Sequence, residues 1–170
     1  CTEITHDKNW IVMKRFIKKC EEFILCGGSG DANEIFTDGF PDNKAMYHII
    51  VNGCVKMGRP FETEHVSLDA DSNNFVDVRE YLYSQRVYTS SRPYLIYGFN
   101  PIRIQEFWEA KLVKESFEGD DKSWLICFKG KPIINGVSVK PMDYAKLDNK
   151  SYNMILNDAV VGVFTKLWLL

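Results

Sequence analysis

Apolar residues recur at three- and four-residue steps near both ends of this chain. Between residues 7 and 26, Trp10, Met13, Phe16, Ile17, Cys20, Phe23 and Ile24 fall on one helical face. Lys14, Arg15, Lys18 and Lys19 fall largely on the other. That 3.6-residue period predicts an amphipathic helix, capped by Asp7 and stopped at Gly27-Gly28. Near the other end, Tyr152, Ile155, Leu156, Ala159, Val160, Val163, Phe164, Leu167 and Trp168 make a wide apolar stripe that Ser151 can cap. A stripe this broad predicts a second, buried helix.

The middle of the chain reads differently. Met46 to Met57 is rich in β-formers and predicts a strand broken by a turn at Asn52-Gly53. Val87 to Phe99 and Trp124 to Phe128 predict further strands. Pro132 to Val139 predicts a hairpin at Asn135-Gly136, because Asn-Gly readily takes the positive φ angles of a tight turn. Short helices are expected over Phe61 to Leu68 and Val78 to Gln85. A further helix is expected from Asn100-Pro101 through Leu112, with a strand over Glu109 to Phe117 as the alternative. Helix, mixed centre, helix is the order of an α+β fold. The expectation is one domain over residues 1–170, with amphipathic N- and C-terminal helices packed on a mainly antiparallel sheet.

Composition supports a substantial core: 45% of the 170 residues are hydrophobic, with four Trp, eight Tyr and eleven Phe. The net charge of −2 lacks the basic excess of a phosphate-neutralising nucleic-acid binder. Lys14, Arg15, Lys18 and Lys19 offer a local basic face, but nucleic acid is not the favoured partner. The five cysteines have no paired spacing for zinc and read as small buried hydrophobes, which suits a reducing, cytoplasmic setting. The apolar tail from Ala159 is shorter than the roughly 20 residues a membrane span needs. The chain begins at Cys1 rather than Met, so excision from a longer protein or precursor is expected.

Asp69, Asp71, Asn73, Asp77 and Glu80 stand at positions one, three, five, nine and twelve of a twelve-residue segment, with the Phe75 carbonyl at position seven. The spacing resembles the calcium loop of an EF-hand, in which oxygens at these positions surround a hard cation. Asn74 stands where that loop wants Gly. Calcium is the one cofactor this implies. Pro41-Asp42 with Glu109-Ala110-Lys111 resembles the PD…E-x-K set of metal-dependent nucleases, where carboxylates hold the metal. A thiol–imidazole pair of His48 with Cys54 or Cys127 would need proximity that the sequence does not supply.

Arg79, Tyr83, Arg86, Tyr88, Arg92 and Tyr94 concentrate the residue types enriched at binding hot spots. They form the candidate protein interface. With no coherent catalytic set in the sequence, the expected function is a non-catalytic binding or interaction domain with a protein partner. A calcium-binding domain and a metal-dependent nuclease are the alternatives.

Overall fold

The computed structural model describes residues 15–31, 36–37, 47–58, 65–69, 75–77, 87–103 and 106–167. All regular structure among them is β-strand, and every strand pairing is antiparallel. The chain divides into two compact units, Cys1–Arg103 and Ile104–Leu170.

The first unit contains β1 (Arg15–Lys19), β2 (Phe23–Gly30), β3 (Phe36–Thr37), β4 (Tyr47–Asn52), β5 (Cys54–Gly58), β6 (His65–Asp69), β7 (Phe75–Asp77), β8 (Val87–Ser90) and β9 (Tyr94–Pro101). They make a five-stranded sheet, β1-β2-β9-β4-β7, and a four-stranded sheet, β3-β8-β5-β6. Two corners carry the chain from one sheet to the other. At the first, β4 gives way to β5 at Gly53, whose φ of +89° is costly for any residue with a side chain. A Cβ at Gly53 would also come within 2.7 Å of the Tyr94 Cβ. At the second corner β8 gives way to β9. The partners bend together, since β4 pairs with β9 while β5 pairs with β8.

The second unit contains β10 (Phe107–Leu112), β11 (Phe117–Glu118), β12 (Ser123–Lys129), β13 (Ile133–Ile134), β14 (Val137–Ser138), β15 (Tyr144–Lys146), β16 (Ser151–Tyr152), β17 (Met154–Ile155) and β18 (Val160–Leu167). Its main sheet runs β10-β18-β12-β15, beside the small sheets β11-β16 and β14-β13-β17. Leu125, Cys127, Val161 and Val163 on one face of the main sheet pack with Val113, Ile134, Leu147, Tyr152 and Met154. The opposite face carries Trp108, Trp124, Ile126, Phe128 and Phe164, also buried.

The α+β expectation is overturned by these strands. The N-terminal helix is replaced, over its described part, by β1, a turn at Cys20–Glu22 and β2; the Cys20 N–H donates to the Phe23 carbonyl at 2.9 Å. Gly27 and Gly28, expected to stop that helix, lie inside β2. The C-terminal helix is replaced by β16, β17 and β18, with a tight turn at Asn157-Asp158 (φ 48° and 57°). Asn100-Pro101 ends a strand rather than starting a helix, and β10 follows. His65–Asp69 is also a strand, not the end of a short helix. The helix expected over Val78 to Gln85 lies outside the described residues. The four central strand expectations are met by β4 with β5, β8 with β9, β12, and the β13–β14 hairpin. At the hairpin turn Asn135 and Gly136 have φ of 49° and 78°, the two positive values such a turn requires.

Candidate functional site

The register of the five-stranded sheet assembles a row of residues that are distant in sequence. Cys26 of β2 lies opposite Gly98 of β9, and Gly98 lies opposite His48 of β4. Directly opposed residues of an antiparallel sheet point to the same face, so the thiol and the imidazole flank a position that has no side chain. Cys26 and His48 are both completely buried. The Cys26 thiol leans towards β9, donating to the Gly98 carbonyl at 3.4 Å.

The same face carries Gly28 and Gly30 on β2, Ile96, Tyr94 and Asn100 on β9, and Ile50 on β4. Gly30 is accounted for by packing: the Tyr94 ring lies across it, and a Cβ there would meet that ring at 2.5 Å. Gly28 and Gly98 remain as small positions beside the thiol and the imidazole. Glycine inside a strand weakens it, and commonly marks the close approach of a ligand or another backbone. The other face of the sheet is an aromatic and aliphatic layer. There Phe23 stacks on Phe99 at 5.2 Å, and Tyr47 packs on Phe75 at 5.2 Å.

Of the remaining described thiols, those of Cys20 and Cys127 are buried and that of Cys54 is half-buried. Burial, chiefly, pushes the Cys127 thiol up from 9.0 to about 12; the Asp143 carboxylate adds to the shift and a hydrogen bond to the Lys129 backbone opposes it. No disulfide joins Cys20, Cys26, Cys54 and Cys127 to one another. The Cys–His pairs considered from the sequence, His48 with Cys54 or Cys127, are not those the register makes. Cys54 lies past the Gly53 corner in the other sheet, and Cys127 belongs to the second unit.

The EF-hand reading is corrected by the strands around it. Asp69 ends β6, paired with β5 in the four-stranded sheet, while Phe75 and Asp77 belong to β7, paired with β4 in the five-stranded sheet. An EF-hand needs a helix on each side of its loop, and a strand stands on the N-terminal side here. Asp71, Asn73 and Glu80 lie outside the described residues. Among the described residues, no three His, Cys, Asp or Glu side chains gather to hold a metal.

Of the expected interface, Arg79, Tyr83 and Arg86 lie outside the described residues, and the Tyr88 backbone runs in β8. Arg92 is exposed at the β8–β9 corner, whereas Tyr94 is fully buried over Gly30. Of the expected basic face, Lys18 and Lys19 are neighbours in a strand rather than on a helix, so they point to opposite sides of the sheet and do not share one face. Lys14 lies outside the described residues, as do Pro41 and Asp42 of the nuclease set. Glu109 and Lys111 are exposed on one face of β10. No helix among the described residues is long and apolar enough to cross a membrane.

Three solved structures share this architecture at low sequence identity. YhaK from Escherichia coli matches with a TM-score of 0.53 and 10% identity, over 91% of this chain and 94% of that one. HutD from Pseudomonas fluorescens SBW25 matches with 0.51 and 9%, over 95% and 92%. AerE from Microcystis aeruginosa matches with 0.50 and 9%, over 91% and 92%. No protein-family model and no curated protein matches the sequence. Likeness at this level establishes fold alone. The chain is an all-β protein whose antiparallel sheets match the cupin-barrel fold.

Proposed function

We propose that this chain is a non-catalytic binding module, and that one face of its five-stranded sheet receives a small ligand. The observation that carries this reading is the Cys26–Gly98–His48 row. Two polar, ligand-capable side chains are fully buried in register on either side of a glycine, with Gly28 alongside. Binding sites are typically apolar walls bearing a few placed polar groups. Ile96 and Ile50 supply the apolar part of this face, and Asn100 a third polar group. The ordinary alternative is a core histidine held for packing alone, and it predicts no ligand response at all.

Amide chemical shifts of the full chain, titrated with a panel of small carboxylates, nucleosides and metal cations, test the reading. At least one panel member should move the Gly28 and Gly98 amides, and Gly98→Val should abolish that response by placing a side chain between Cys26 and His48. A panel that moves only exposed loop amides would contradict the proposal. So would a response that survives in Gly98→Val.

A further inference from the structure

We propose that β10 is an interface at which two copies of this chain pair edge to edge, antiparallel, about a two-fold axis at Ala110. In the main sheet of the second unit β10 is an outer strand, and among the described residues it pairs with β18 alone. An outer strand of six residues offers a row of N–H and carbonyl groups to another chain. None of the residues of the Cys26–Gly98–His48 row belongs to it.

Two hydrogen bonds decide which backbone groups face outwards. The Val113 N–H donates to the Val161 carbonyl of the β18 side at 2.9 Å. The Lys166 N–H, opposite Trp108, points away from β10 and donates to the Lys122 carbonyl at 3.1 Å. Bonding alternates along an antiparallel pair. Glu109 and Lys111 therefore turn their backbone groups towards β18, while Ala110 and Leu112 direct theirs outwards. The side chains of Glu109 and Lys111 are exposed on one face of the strand.

Charge then selects the partner and the register. With the axis at Ala110, Glu109 of each copy lies directly opposite Lys111 of the other. Phe107, 40% exposed, faces Val113 of the second copy. With the axis at Glu109 two carboxylates would oppose each other, and with the axis at Lys111 two ammonium groups would. Opposite charges directly across a strand pair stabilise it, and like charges destabilise it. Neither Glu109 nor Lys111 has an ion-pair partner among the described residues. Charges on an outer strand can also serve to keep other chains away, and that role would leave the protein monomeric.

The test is sedimentation velocity of the full chain in reducing buffer over a range of concentrations. The parent should pass reversibly from monomer to dimer. Glu109→Lys and Lys111→Glu should each weaken association by at least ~10-fold, because each sets like charges opposite one another twice. The double variant Glu109→Lys/Lys111→Glu should restore it. An equimolar mixture of the two single variants should also associate, since each then meets the opposite charge. Ala110→Pro removes an outward N–H without touching the β18 ladder and should abolish the dimer. In a mixture of isotope-labelled and unlabelled chains, the Glu109 α-proton should contact the Lys111 α-proton of the other copy. A parent that stays monomeric, or a dimer that the single reversals leave intact, overturns the proposal. So does a double variant that associates no better than the single ones. If Ala110→Pro fails to fold, the charge series and the α-proton contact still decide.

Discussion

Phe164→Ala is expected to destabilise the protein by about 3–5 kcal/mol, the range for removing a buried aromatic ring. Phe164 lies in β18, between Ala110 of β10 and Trp124 of β12, and has no exposure. Its ring meets Phe128 edge-on at 6.1 Å and 71°, a favoured aromatic arrangement. Both rings also lie over Gly162, where a Cβ would come within 2.9 Å of Phe164 and 3.2 Å of Phe128. Truncating Phe164 therefore leaves a gap that neither Gly162 nor the strand backbone can fill. Urea unfolding followed by tryptophan fluorescence should show a lower midpoint with an unchanged slope. A loss below about 1 kcal/mol would mean that this aromatic face is loosely packed.

The second large effect is alkaline. A thiol is neutral while protonated, and that of Cys127 is raised from 9.0 to about 12 in the folded chain. Between those limits the folded state keeps a proton that the unfolded state has lost. The contribution of this group to stability is full below pH 9 and falls as the pH rises towards 12, by up to about 1.4 kcal/mol per pH unit. Comparison of the parent protein with Cys127→Ala isolates the group from other titrations. From pH 9 to 11 the parent should lose stability faster than the variant. Parallel curves would mean that Cys127 reaches solvent in the native state. The same shift keeps this thiol protonated near neutral pH, which argues against a nucleophilic role for it.

What the sequence made legible was turn chemistry joined to runs of β-forming residues. Asn52-Gly53 and Asn135-Gly136 punctuate strands where expected, because positive φ is needed there and few residue types tolerate it. The terminal segments misled for a physical reason. Val160–Leu167 is buried over much of both faces, so the alternation of a half-exposed strand is missing and the apolar positions also satisfy a helical period. Asn157-Asp158, which ends β17 and turns the chain into β18, carries no glycine to announce it. At the other end, the Cys20–Glu22 turn between β1 and β2 shifts the apolar residues into three- and four-residue steps.

The candidate site was less legible still. His48 and Gly98 were both placed in strands by the sequence, but Cys26 was assigned to a helix. Nothing local links positions 26, 48 and 98, because sheet register alone brings them into one row. The acidic segment from Asp69 to Glu80 had the opposite problem. Its spacing matched a known loop, but the strands β6 and β7 give it a different setting.

Register therefore decides which side chains share a face, since a slip of one residue sends every side chain of a strand to the opposite face. Cross-strand proton contacts in the nuclear Overhauser spectrum of the full chain measure it directly. The Gly98 backbone protons are expected to contact those of Cys26 on one side and His48 on the other. Contacts from Gly98 to Leu25 or Gly27, or to Tyr47 or Ile49, as the directly opposed residue would place the thiol and the imidazole on opposite sides of the sheet and contradict it.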